Sequence, residues 1–260
     1  AASLKLFPLP ASTCVAMVGL ASLHDAIELL SRAKDAAGSG LEAFELISRL
    51  GLELVIKHIP GSADPLAAPH AWYALIEVTG DSEGGAETTT MALLERGMEA
   101  GLVEDAVVAR SVSQAKALWA LRENQSAGQK AEGPAWKNDI SIPVAQIAQF
   151  VDEAQAALER FSPGVRLSPF GHAGDGNLHF DILAAEGASV ADHLARREES
   201  HRIVNDLVER YQGSISAEHG LGVMKTQEAL GYKQPAQVSA MQAIRAALDP
   251  NRIMNPRVLF

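Results

Sequence analysis

The residues best suited to chemistry sit in one short stretch, Gly171-His172-Ala173-Gly174-Asp175-Gly176-Asn177-Leu178-His179. Asp-Gly is a two-residue hairpin signal, because both residues tolerate positive φ. With Asp175-Gly176 as the turn, His172 and His179 face each other on one side of the ribbon, and Phe170 and Asp181 form the next pair on that face. Opposed Cβ atoms lie ~4.5–5.5 Å apart, close enough for two imidazoles to share a metal ion. A tight turn carrying two half-exposed histidines is the plainer alternative. The density of glycine and the adjacent carboxylate favour the metal.

A second stretch, Ser216-Ala217-Glu218-His219-Gly220-Leu221-Gly222, sets a carboxylate beside an imidazole among glycines that allow close approach. Two histidines and one glutamate make a three-ligand set with an open position, a common arrangement for catalytic zinc. One imidazole, His219 or a hairpin histidine, then remains as a base. A polar loop closing a turn is the other reading. Upstream, Arg122 lies on an expected helix four residues before Ser126, a spacing that lets both face one way. A guanidinium is the natural fork for a substrate carboxylate, with Lys137 as a second positive charge. Both side chains are also common simply as solvated surface charges.

The surrounding pattern alternates strands and helices. Strands are expected at 14–20, 41–47, 72–78, 103–109, 138–142 and 165–170, with helices at 23–36, 87–101 and 144–161 between them. Three β-α-β passes at this spacing predict an α+β fold of duplicated ferredoxin-like split β-α-β units, with a mainly antiparallel sheet and helices on one face. No G-x-G-x-x-G turn follows an expected strand, which disfavours a parallel dinucleotide-binding sheet. A long charged helix is expected at 190–212 and a last one at 235–248.

The 260 residues carry 22 basic and 32 acidic side chains, a net charge of −10, and one cysteine, Cys14. Nucleic acid and anionic membrane surfaces want the opposite sign. A single cysteine permits no internal disulfide and fits a reducing, cytoplasmic setting. No apolar run approaches the ~20 residues of a membrane span.

Several motifs occur in a fixed order: Arg122 to Pro143, the Gly-His-Ala-Gly-Asp-Gly-Asn-Leu-His stretch, Ala217-Glu218-His219-Gly220, and Leu248-Asp249-Pro250 with Met254-Asn255-Pro256. Together they resemble the C-terminal domain of the FAD-linked oxidase family, which includes D-lactate dehydrogenases, the glycolate oxidase flavin subunit and D-2-hydroxyglutarate dehydrogenases. The resemblance implies that His172, His179 and Glu218 bind a divalent metal, zinc or manganese, which holds the hydroxyl and carboxylate oxygens of a 2-hydroxy acid. It implies that Arg122 and Lys137 clamp carboxylate, with Ser126 and Asp181 beside them. His219 would take the hydroxyl proton while the α-hydride passes to FAD, and Asn255 would lie near the flavin. Asp181 stands where the hydroxyglutarate branch carries Asn, and Asn255-Pro256-Arg257 departs from the family's usual Pro-Gly-Lys tail.

The resemblance also divides the chain. Residues 1–10 are expected to end an FAD-binding domain, 11–245 to form the substrate and metal domain, and 246–260 to be a tail that meets the flavin. That places most of the FAD site outside this chain, so the chain alone is expected not to turn over. The parent's electron acceptor would be a quinone, a cytochrome or an electron-transfer flavoprotein. A stand-alone metal-dependent hydrolase or small-molecule binding domain is the alternative from another class.

Overall fold

The computed structural model describes residues 2–6 and 8–258; positions 1, 7, 259 and 260, which fall in the expected boundary segments 1–10 and 246–260, lie outside the described residues. In chain order the elements begin β1 (Ser12–Leu20), α1 (Leu23–Ala37), β2 (Leu41–Ser48), α2 (Arg49–His58), β3 (Trp72–Gly80), α3 (Gly85–Glu99) and β4 (Asp105–Val108). A connection of α4 (Val112–Glu123), α5 (Gln125–Glu132) and β5 (Ala135–Trp136) follows. Then come β6 (Asp139–Ser141), α6 (Ile147–Phe161), β7 (Arg166–His172), β8 (Asn177–Leu183), α7 (Val190–Ala195), α8 (Arg197–Arg210), α9 (Thr226–Tyr232) and α10 (Pro235–Leu248).

All strand pairs are antiparallel, in the order β4-β1-β3-β2-β7-β8-β5, with β6 also on β8. The first half has the strand order of a split β-α-β unit, β4-β1-β3-β2. The second half repeats it as β6-β8-β7, and its fourth strand is reduced to a single bridge, Ser141 to Ser214, beyond α8. Strands β2 and β7 join the halves edge to edge, with Glu45 opposite His172 and Ile47 opposite Phe170.

Alternation along the strands decides what each face carries. In β1, Cys14, Ala16, Val18 and Leu20 point into a core shared with Leu29 and Leu30 of α1, Leu93 of α3, Phe150 of α6 and Val204 of α8. The expected helical layer is therefore present. Val15 and Met17 point the other way, into a second core with Leu52 and Val55 of α2 and Leu118 and Leu121 of α4. A smaller helical layer thus covers part of the opposite face. In β8, Leu178, Phe180 and Ile182 enter the main core, which leaves His179 and Asp181 on the face that carries α2 and α4.

The hairpin differs from its expected form. Residues Ala173–Asp175 make a 3-10 turn, and of the Asp175-Gly176 pair only Gly176 takes positive φ, at 75°. The two-residue turn needs positive φ at both positions, and Asp175 stays helical. The register therefore slips by two, pairing His179 with Phe170 and Asp181 with Ser168. A slip of two conserves the face, so His172 and His179 share a side although they are not partners. Only glycine fits at 176, since a Cβ there would meet the Ile142 carbonyl oxygen at 2.3 Å.

Two expected helices are broken. The 190–212 helix divides at Arg196, because the His193 carbonyl accepts from the Arg196 N–H (3.1 Å) and from Trp136 Nε1 (2.8 Å) instead of continuing the ladder. At Asn124 the chain bends between α4 and α5, so Arg122 is buried while Ser126 is exposed. Residues 2–6 and 8–10 lie in no strand, and α10 runs across the expected 245/246 boundary.

Candidate active site

The site lies on the sheet face opposite the main helical layer, where β6, β7 and β8 meet the 216–222 loop. Asp139 of β6 anchors that loop. Its Oδ2 accepts the backbone N–H groups of Ala217 (3.2 Å), Glu218 (3.1 Å) and His219 (2.9 Å). Burial raises the Asp139 pKa, but the N–H groups of His219 and Glu218, together with the neighbouring His219 and His179 imidazoles, hold the carboxyl below its ordinary value. Its other oxygen, Oδ1, is buried with no hydrogen-bond partner and lies 3.8 Å from His179 Nδ1. A desolvated anionic oxygen without a donor is costly unless a cation completes it.

His179 and His219 stack with ring centroids 5.3 Å apart, and His219 Nδ1 is 3.7 Å from Asp139 Oδ2. One ligand atom from each of Asp139, His179 and His219 lies within 4.8 Å of the others. Burial, followed by the nearby Arg122 charge, pushes the His179 imidazole down to about 4. At neutral pH His179 is thus neutral, with a lone pair to donate. His172 stands beside this trio. Its Nε2 is 3.2 Å from Glu218 Oε1, and its Nδ1 donates to Glu45 Oε1 at 2.5 Å. Glu218 also accepts from Asn177 Nδ2.

A cleft of about 140 Å³ opens in front, lined by Ser126, Lys137, Asn138, Asp139, Phe170, His179, Asp181, His219 and Lys225. It is smaller than the ~300–1,000 Å³ of pockets for drug-sized ligands, which suits a small acid. A far larger cavity, about 1070 Å³ beside Trp119 and Glu77, includes no histidine. Size is no guide to the chemistry here.

The two expected clamp cations are already partnered. Lys137 Nζ donates to Asp181 Oδ2 at 2.7 Å, so Asp181 serves as its counter-ion. Burial raises the Asp181 pKa, with Lys137 opposing. Arg122 is buried behind Phe170, its guanidinium carbon 4.9 Å from the ring centroid, and its Nε donates to Glu45 Oε2 at 2.7 Å. The bend at Asn124 keeps Arg122 and Ser126 off one helical face. A substrate carboxylate would have to share these partners.

The structure thus pairs His172 with Glu218 and groups His179 with His219 and Asp139, so the expected His172-His179-Glu218 set is divided between two contacts; Ser126, Lys137 and Asp181 line the same cleft as His179 and His219, with Arg122 behind Phe170. Asn255 is not among them. It is exposed, beside Met254 and Arg245, and its carbonyl accepts from Arg245 Nη2 at 3.1 Å. The motifs do not single out Asp139, Asn138, Asn177, Glu45 or Lys225, which line or support the site. Asp139 adjoins Lys137 and Asn138 and was open to notice. Glu45 is an acid between buried Phe44 and Leu46, an anomaly that alternation alone explains as a solvent-facing residue.

A family model described as FAD linked oxidases, C-terminal domain, matches residues 9–259. The mitochondrial D-2-hydroxyglutarate dehydrogenase of Arabidopsis thaliana is 37% identical over 229 residues, covering 88% of this chain and 40% of that protein. The D-2-hydroxyglutarate dehydrogenase of Xanthomonas citri pv. viticola is 34% identical over 259 residues, covering 100% of this chain and 54% of its own length. The chain therefore spans about half the length of these curated relatives. In fold, it resembles the crystal structure of p-cresol methylhydroxylase with substrate bound, at a TM-score of 0.64 and 13% identity, over 96% of this chain and 53% of that one.

Proposed function

This chain belongs to the family of FAD linked oxidase C-terminal domains, and from that premise we propose that it is the substrate-binding half of a flavin-dependent dehydrogenase oxidising a 2-hydroxy acid to the 2-oxo acid. The substrate is of the D-2-hydroxyglutarate, D-lactate or glycolate type. The observation that carries this reading is the group of Asp139, His179 and His219 on a small cleft that also holds Lys137, with the His172–Glu218 pair contributed by the same hairpin and loop. Family membership weighs against a stand-alone hydrolase.

The donor set fits a divalent cation: the imidazole nitrogens of His172 and of a neutral His179 and the carboxylate of Glu218, with the orphaned Oδ1 of Asp139 adding negative charge beside His179. On our reading His172, His179 and Glu218 hold it, and zinc or manganese would supply Lewis acidity to the substrate's hydroxyl. His219 then accepts the hydroxyl proton, its ring steadied by Asp139 and by stacking on His179. Lys137 and Arg122 draw the carboxylate in, against the competing Asp181 and Glu45. Ser126 offers a hydroxyl at the mouth of the same cleft. FAD supplies the hydride acceptor when bound, held mainly by a domain that residues 1–10 would close. The 246–260 tail, with Asn255, would meet the flavin. The electron acceptor is a quinone, a cytochrome or an electron-transfer flavoprotein. The lone buried Cys14 supports a cytoplasmic setting. Among the described residues no helix is long and apolar enough to cross a membrane.

Anaerobic mixing of a flavin-loaded protein carrying this chain with D-2-hydroxyglutarate, D-lactate or glycolate tests the proposal. One of these acids is expected to bleach the flavin, and chelation is expected to slow the bleaching. No reduction by any of them in metal-replete protein would overturn it.

A further inference from the structure

Glu45 is a buried acid in the middle of an apolar strand, 2% exposed, between Phe44 and Leu46. Its carboxylate is spent on two donors at once. Oε1 accepts from His172 Nδ1 and Oε2 from Arg122 Nε, at 2.5 and 2.7 Å. Glu45 and His172 are also backbone partners across the β2–β7 seam, which fixes the side chains against each other before any ligand arrives. Each half of the duplicated sheet thus contributes one member of the pair.

We propose that Glu45 is the positioning carboxylate of this site, orienting His172 through Nδ1 so that Nε2 faces Glu218, and holding Arg122 behind Phe170. This rests on the metal-site reading above and gives Glu45, there only a competitor for Arg122, a role towards His172. The physical case has two parts. A ligating imidazole commonly donates its other N–H to a carboxylate, which sets the tautomer and aims the ring. Here the unclaimed nitrogen, Nε2, is the one 3.2 Å from Glu218. A buried carboxylate is costly without donors, and one guanidinium would have sufficed to satisfy it. Its second oxygen is given to the imidazole instead.

The test is a Co²⁺ titration of the 260-residue chain followed by the ion's visible absorption, with thermal midpoints recorded in the absence of metal. The wild type is expected to bind, and His172→Ala to bind at least 100-fold more weakly. Glu45→Gln keeps the shape but loses the charge, and is expected to weaken Co²⁺ about 10- to 100-fold. Because it leaves Arg122 unpaired, a second variant, Glu45→Leu with Arg122→Leu, removes both buried charges. That variant is expected to recover the thermal midpoint while its Co²⁺ affinity stays low. A purely structural ion pair would give the reverse, with affinity recovering alongside stability or never falling in either variant. If His172→Ala weakens binding but the Glu45 variants do not, the proposal falls and the metal reading stands. If the wild-type chain takes up no Co²⁺, both fall.

Discussion

The two halves of the sheet repeat one strand order and have different fates. In the first, β4 completes the edge, helices cover both faces, and β1 is buried over Cys14–Leu20. In the second, the fourth strand shrinks to the Ser141–Ser214 bridge. The chain that would have formed that strand instead runs on as the loop bearing Glu218 and His219, pinned by Asp139. That loop sets the exposed His219 against the largely buried His179 of β8. Duplication therefore supplied a closed half that stabilises and an open half that carries the chemistry, with Glu45 and Arg122 reaching the site from the closed side.

The comparison breaks most readily at His219. In the flavin-loaded protein, His219→Ala is expected to slow flavin reduction about 10²- to 10⁴-fold, as loss of a general base does, with Co²⁺ still bound. Loss of the metal instead would make His219 a ligand, in the Asp139-His179-His219 set. Next is the closed half. Leu29→Ala, at a fully buried position in α1, is expected to cost about 3 kcal/mol in denaturant unfolding, leaving the Co²⁺ affinity of the folded chain unchanged.

A smaller effect joins the halves. Glu132 on α5 meets Lys57 and His58 of α2 and Arg166 of β7, and these contacts, Lys57 first, lower its pKa from 4.5 to about 2. A depressed carboxylate stabilises the fold above its unfolded pKa, and that stability fades as pH falls from about 4.5 towards 2. With Lys57 largely in solvent, Glu132→Gln is expected to cost about 1–2 kcal/mol at pH 7. The gap between variant and wild type should close by pH 2 in pH-resolved urea melts. Smallest is the exposed Glu28–Arg32 pair on α1, where Arg32→Ala is expected to change stability by less than about 0.5 kcal/mol.

Apolar runs and helical periodicity made the duplicated fold legible: β1, α1, β2, β3 and α3 lie within a few residues of where the pattern puts them. The site was legible as motifs, since His172, His179, Glu218 and His219 cluster in sequence. What the motifs could not carry was register and partnership. The hairpin slip depended on Asp175 staying helical, and the second helical layer depended on β1 being apolar on both faces. Pairs such as Glu45–Arg122, 77 positions apart, exist only once β2 and α4 are packed.

The central claim is that the open half takes a 2-hydroxy acid through its hydroxyl and carboxylate at a metal held by the histidines. Adding D-2-hydroxyglutarate, D-lactate, glycolate or glutarate to the Co²⁺-loaded chain, and following the visible bands of the ion, tests it without flavin. At least one hydroxy acid is expected to shift the bands at concentrations where glutarate, which lacks the hydroxyl, does not. Equal responses to all four acids, or none to any, would contradict it.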